Sequence, residues 1–458
     1  MTRWPQAGDA DAHAADQNTD VPAMHGADSI PVRQNRKLVC VCTANRADAE
    51  PRAPRHALAI AQSDMDVDVV LLDSSPAGGA VCRLRELSDE TGLSRVTHYY
   101  SHRNNGIFRV IGCRAWQQLA KELFRVFNVA LSDALSPYMI GIEKKLSSLR
   151  ADVYVAHDIR TLVPAGRAAK KNGAALVFDC MEFYSDMGDS QTETDRRIIQ
   201  ALEAQWLPQC DLVLASSDLV ANEYRQKYDI RKPLAIYNCP RTLDVLPLPK
   251  PEGFRLYWRN SVIGFGQRGL DDAFVALSEL PGDISLHLQG RVFDRTAAAI
   301  KTRARQLGIS ERIFVHPPFL PEDAVVAAAE FTVGLCLEHA GVRNQELTVS
   351  NKMFDYMMAG LPVISSNLQG LAGVVGRSNG GLLYRSGDAK DLAEKIYALY
   401  SNENLLHKLA NNARRFAVEK ANRAGQMEIF IGALRTIPCL DENRAVSGSP
   451  VSLAIGSV

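Results

Sequence analysis

The stretch Asn344-Gln345-Glu346-Leu347-Thr348-Val349-Ser350-Asn351-Lys352-Met353-Phe354-Asp355-Tyr356-Met357-Met358-Ala359-Gly360-Leu361-Pro362-Val363-Ile364 reads as a helix running into a strand. Ser350 is a residue type that starts helices, because its side-chain oxygen can accept an orphan backbone N–H. Met353, Phe354 and Met357 share one helical face, Gly360 ends the helix, and Leu361 to Ser365 is a short apolar run of strand type. Packing alone accounts for those residues and leaves two charges without a role. Lys352 stands in the first turn, where the helix dipole disfavours a cation, and Asp355 lies close by on the same helix. A phosphate at the helix start would justify Lys352, and a carboxylate one turn in can hold both hydroxyls of a ribose.

Outward from this segment, apolar runs alternate with amphipathic stretches, as in parallel βαβ units. Strands are predicted at 37–43, 67–73, 152–158, 175–180 and 212–217, and again at 254–258, 284–290, 312–317, 331–337, 361–366 and 380–384. The two series are separated by YNCPRTLDVLPLPKPEGF, a proline-rich stretch without period. The expected architecture is therefore two tandem doubly wound α/β domains, both Rossmann-like, with an interdomain cleft as the default site. The expected boundaries are a disordered tail at 1–36, a first domain at 37–238, a linker at 239–253, a second domain at 254–436, and a disordered tail at 437–458. A last helical stretch is expected from Leu405 to about Ile431.

The chain has 458 residues, 46% hydrophobic and 23% charged, with 52 basic and 52 acidic side chains. This balance excludes a global field for nucleic acid, so any anion site is local. The nine cysteines are scattered, mostly within apolar runs, and lack zinc-site spacing, which predicts reduced buried thiols, no metal and a cytoplasmic protein. No apolar run approaches the roughly 18 residues of a membrane span.

Gly264-Phe265-Gly266-Gln267-Arg268-Gly269 matches a dinucleotide fingerprint in its letters. The next predicted strand, however, ends Leu288-Gln289-Gly290-Arg291, with no acid for a nicotinamide-side ribose. What remains is a glycine loop, including Gly266 and Gly269, that lets backbone approach an anion, with Arg268 at a helix start. His157 and Asp158 end a strand of the first domain, and Glu182 follows the next strand. A histidine at a cleft rim can donate to a sugar or place an acceptor hydroxyl, while Asp158 is equally suited to cap the next helix. The stretch 103–125 carries Arg103, Arg109, Arg114, Lys121 and Arg125 among Phe108, Trp116, Leu119, Leu123 and Phe124. Two readings stand for it: a core-facing helix with a solvated basic face, and a peripheral helix on the inner face of a membrane.

Taken together, Ala156-His157-Asp158, Phe178-Asp179-Cys180-Met181-Glu182-Phe183-Tyr184, Tyr237-Asn238-Cys239-Pro240, Gln267-Arg268-Gly269-Leu270 and the Ser350 to Ile364 segment resemble the retaining glycosyltransferases of the GT-B fold, family 4 in particular. The resemblance implies transfer of a sugar from a nucleotide diphosphate sugar, UDP- or GDP-linked, to a hydroxyl of a glycan or lipid-linked glycan, without a bound metal. It implies that Arg268 faces the donor diphosphate and that Asp355 holds the ribose. Lys352, with the backbone and side chains of Ser350 and Asn351, is expected to help hold the phosphates, and His157, Asp158 and Glu182 to lie toward sugar and acceptor. The family's other acid, which contacts the donor sugar, falls eight positions before Asp355, at Leu347, with Glu346 beside it as the available carboxylate. Two rivals follow from that leucine: a catalytically silent GT-B protein that binds a glycan or a partner enzyme, and a sugar-nucleotide epimerase of related fold.

Overall fold

The computed structural model describes residues 36–45, 50–73, 96–100, 107–136, 139–188, 191–243, 253–265, 268–319 and 321–441. Two parallel sheets organise the chain. The first has seven strands in the order β3-β2-β1-β4-β5-β6-β7: β1 Lys37–Thr43, β2 Val67–Asp73, β3 Val96–Tyr100, β4 Val153–His157, β5 Ala175–Cys180, β6 Leu212–Ala215 and β7 Leu234–Ala235. The second has six in the order β10-β9-β8-β11-β12-β13: β8 Phe254–Val262, β9 Ile284–Arg291, β10 Ile313–His316, β11 Val333–Cys336, β12 Val363–Ser366 and β13 Gly381–Tyr384. Both are Rossmann-like, with helices covering their faces.

The alternation that marked the strands reflects burial on both faces. Leu38, Cys40 and Cys42 of β1 pack with one set of helices, while Val39 and Val41 pack with the other. All eight described cysteines are free, and five of them are buried. Two strands escape the sequence pattern: β3, whose VTHYY alternates no clear apolar face, and β7, only two residues long.

The expected last helix is two helices, Glu403–Glu419 and Arg423–Leu434. Asn422 caps the second, its side chain accepting from Gly425 N at 2.9 Å. After this break Phe430, Ile431 and Leu434 pack against Val39, Val41 and Ala57 of the first domain. The chain thus returns to the sheet it began with. The stretch 103–125 falls on the helix Ile107–Phe127, with 101–106 outside the described residues. Ala120 and Phe124 of this helix are buried, but Ile111, Trp116, Leu119, Val126 and Phe127 are exposed.

Candidate functional site

The carboxyl ends of both sheets face each other across the domain junction. On the second domain, β11 runs into Leu337 and Glu338. The loop before the helix Leu270–Ser278 lies directly on this turn: Gly269 has φ +64°, and a Cβ there would stand 2.3 Å from the Leu337 carbonyl oxygen. Only glycine permits this approach, and Arg268, the residue before it, comes within electrostatic reach of Glu338. The charge of Arg268 acts on Glu338 of its own domain and on Glu182 of the other. Gly266 lies outside the described residues.

Lys352 does not point its charge at an open anion site, as its place in the first helical turn led us to expect. It is buried, with Nζ 2.8 Å from Glu338 Oε1 and 5.6 Å from the Trp258 ring centre. The unfavourable interaction with the helix dipole is thus offset by a protein carboxylate. Burial pushes the Glu338 carboxyl up, but Lys352 and then Arg268 hold it below its ordinary range, so it is an anion at neutral pH. Ser350 occupies the N-cap position of the helix Asn351–Met358, yet its side chain makes no capping bond. Asn351 is exposed beside it.

The short helix Arg343–Leu347 is a clasp between the domains. Asn344 donates through Nδ2 to Glu182 Oε2 at 2.7 Å and accepts from Phe183 N through Oδ1 at 2.7 Å. Arg343 pairs with Glu223 of the first domain at 2.8 Å and with Glu346 at 3.2 Å. Leu347 is 1% exposed and belongs to the core of the first domain, while Ser217 Oγ donates to its carbonyl at 2.7 Å. Position 347 therefore points away from the second domain, and Glu346 is spent on Arg343. Burial raises the Glu182 carboxyl, against the lowering effects of Asn344 and Arg268.

Asp355 is buried and paired with Arg259 of β8. Burial raises its carboxyl pKa, opposed by Arg259 first and then by Arg55 and Arg423. Arg423, crowded by burial and by Arg55, is pushed down to about 9. Arg259 escaped the sequence reading, although Arg255, Tyr257 and Arg259 alternate along β8 and so share one face. Its backbone N–H donates to the Tyr356 hydroxyl at 3.1 Å, tying β8 to the helix that carries Lys352 and Asp355.

His157 ends β4 as expected, but its side chain is buried rather than open at a rim. It is 0% exposed, with Nδ1 2.9 Å from Asp179, whose two oxygens also accept from Arg52 at 2.6 and 2.9 Å. His56, Asp179 and His157 offer ligand atoms within 4.8 Å of one another. The guanidinium already on Asp179 makes this a poor cation site, since a metal would have to displace Arg52 or sit beside its charge. Asp158 takes its structural alternative: it caps the helix Ile159–Asn172, accepting from Arg160 N at 2.8 Å and Ala44 N at 3.1 Å. Its φ of +70° is strained for a non-glycine residue and is held by those bonds.

Residues 266–402 match the family described as glycosyl transferases group 1. No curated protein matches the sequence. Among solved structures, Anabaena HepE in complex with UDP-glucose is 14% identical, with a TM-score of 0.63 over 88% of this chain and 100% of that one. Sucrose-phosphate synthase from Thermosynechococcus elongatus is 14% identical, with a TM-score of 0.64 over 90% and 100% of the two chains. S. aureus TarM, in complex with fondaparinux, alpha-GlcNAc-glycerol and UDP, is 10% identical, with a TM-score of 0.62 over 87% and 99%. These likenesses establish the two-domain GT-B fold, and the family match lies in the second of those domains. Residues 266–402 thus carry a glycosyl transferases group 1 domain, on a chain with the GT-B fold.

Proposed function

We propose that the protein transfers a hexose, with retention of configuration, from a UDP- or GDP-linked donor to a hydroxyl of a glycan or lipid-linked glycan. The observation that carries this reading is Arg268, next to the Gly269 that packs on the end of β11, with its charge acting on carboxylates of both domains. Glycosyl transfer must stabilise a leaving diphosphate and an electron-poor sugar ring. Arg268 and the free amides at the start of the helix Asn351–Met358 serve the first need as groups already in place. The Ser350 hydroxyl, not used in capping, is available to the same phosphates. Asp355 and Arg259 sit deeper, where a ribose hydroxyl would share the carboxylate with the guanidinium. Closure around the Asn344 clasp keeps water from the donor. HepE and TarM are recorded with UDP, which makes uridine the first base to test. The exposed apolar side of the helix Ile107–Phe127 is assigned to the membrane that would carry a lipid-linked acceptor.

The test is a thermal-shift panel of UDP, GDP, ADP and dTDP on the wild-type protein and on Asp355→Ala. A ligand selective for the native state must raise its melting temperature. One diphosphate is expected to do so, with the shift lost in Asp355→Ala, and NMR of the product would then show the retained anomer. No shift from any diphosphate would refute the reading.

A further inference from the structure

Glu338 and Lys352 form a buried ion pair whose hydrogen-bonding capacity is largely unspent. Their side chains are 7% and 4% exposed, and apart from the Trp258 ring near the ammonium and the charge of Arg268 on the carboxylate, neither has a hydrogen bond to another described residue beyond the pair itself. Removing two charges from water is costly, and their attraction repays it only where the remaining protons and lone pairs are also satisfied. An ammonium has three donors and a carboxylate accepts at both oxygens, so the pair can still donate and accept at adjacent points. That is the complement of a polyol, in which one hydroxyl donates to the carboxylate while its neighbour accepts from the ammonium.

The position fits such a ligand. Glu338 follows β11 at the carboxyl edge of the second sheet, where open parallel sheets bind substrates. Ser386 Oγ donates to the Glu338 carbonyl at 3.2 Å and accepts from Ala340 N at 3.0 Å, which fixes the turn. The other acids nearby are engaged: Glu346 with Arg343, Glu182 with Asn344, Asp355 with Arg259.

We propose that Glu338, held in place by Lys352, binds the hydroxyls of the transferred sugar, so that this pair determines which sugar the protein accepts. The inference rests on the nucleotide-sugar reading above. Glu338 is thereby the sugar-contacting acid, in place of Glu346 and of the leucine at 347, and Lys352 serves the sugar before the diphosphate.

The experiment is calorimetric titration of UDP-glucose, UDP-N-acetylglucosamine and GDP-mannose, each beside its free diphosphate, into wild-type protein, Glu338→Gln and Glu346→Gln. Loss of a charged hydrogen bond should weaken the bound sugar nucleotide roughly tenfold to hundredfold in Glu338→Gln, while the free diphosphate changes less than about twofold. Glu346→Gln should match wild type. Because Glu338→Gln leaves Lys352 buried without a counter-charge, the double variant Glu338→Gln/Lys352→Met supplies a folded test lacking both charges, and it should show the same selective loss. Equal weakening of sugar nucleotide and diphosphate, unchanged sugar-nucleotide binding, or a selective loss in Glu346→Gln would each overturn the proposal. Failure of folded wild-type protein to bind any of these ligands would instead overturn the nucleotide-sugar reading and this proposal with it.

Discussion

Replacing Leu347 by glutamate writes an acid at the position where the family resemblance calls for one, and it should nevertheless impair the protein. If the clasp stays docked, the new carboxyl enters a site that is 1% exposed in the core of the first domain. Full burial raises a carboxyl pKa above about 7, so the group protonates, which costs about 3.5 kcal/mol at neutral pH, and the buried neutral carboxyl without a partner costs about 1–3 kcal/mol more. The lost leucine burial adds about 1.5–3 kcal/mol, so docking costs about 6–10 kcal/mol. If the helix Arg343–Leu347 undocks, the leucine term is joined by three hydrogen bonds, Ser217 to the Leu347 carbonyl, Phe183 N to Asn344, and Asn344 to the Glu182 carboxylate, and by the partly exposed Arg343–Glu223 pair, which adds no more than about 1 kcal/mol. At about 1 kcal/mol for each neutral bond and about 1.5–3 for the charged one, undocking costs about 5–9 kcal/mol with the pair included. Undocking is the cheaper route, so Leu347→Glu should open the domain junction rather than unfold the first domain. Hydrogen exchange should show the Phe183 amide and the segment 343–348 losing at least about a hundredfold of protection, with β1 and β4 unchanged. Turnover should fall in parallel. Retained protection at Phe183 together with higher turnover would refute the argument and return position 347 to the donor site.

His287 gives a prediction about pH. Its ring lies 2.9 Å from His316 and 3.0 Å from Ser285 Oγ and stacks on Phe314, with Arg255 and, toward His316, Glu330 as the charged groups around it. Burial first, then His316 and Arg255, push its pKa down to about 3, against about 6.5 when unfolded. The unfolded chain therefore takes up this proton first, and stability present at neutral pH is lost as the pH falls from about 6.5 toward 3. Urea unfolding at pH 7 and pH 4.5 should show a smaller drop in midpoint for His287→Gln than for wild type, and equal drops would exclude His287 as a source. The helix Ile107–Phe127 carries the prediction for the acceptor side. Trp116 and Leu119 are exposed with Arg114 nearby on the same helix, and the double change Trp116→Ser/Leu119→Ser should weaken co-sedimentation with phosphatidylglycerol vesicles about tenfold or more. Binding that survives this change would place the membrane contact elsewhere.

What was legible in the sequence was what one element determines by itself. The strands announced themselves because burial on both faces gives unbroken apolar runs, and Gly269 and Gly360 marked turns whose positive φ requires glycine. The break between the last two helices was less visible, since no glycine or proline precedes Asn422 at the turn, Gly425 lies inside the second helix, and the capping role of Asn422 depends on where the chain turns. His157 misled for a related reason. The end of a parallel strand is the right address for a catalytic group, but which way the side chain turns depends on Arg52 and Asp179, more than 20 residues distant on either side.

Lys352 shows where such reasoning succeeds and where it stops. A lysine in the first turn of a buried helix demands a negative charge close by, and that demand follows from the dipole alone. The source of the charge does not follow, because a ligand phosphate and a protein carboxylate satisfy it equally. Glu338 lies 14 positions earlier, at the end of another strand, and the packing of Gly269 on Leu337 together with the Ser386 hydroxyl fixes the turn that carries it. Once Glu338 is the counter-ion, the consequence for chemistry changes. A cation neutralised by a fixed carboxylate is a weak anchor for a diphosphate, which leaves that task to Arg268 and the helix amides, and it makes the pair itself a dipolar site suited to neutral hydroxyls. The same physics that explains the misplaced lysine therefore moves its function from the phosphate to the sugar.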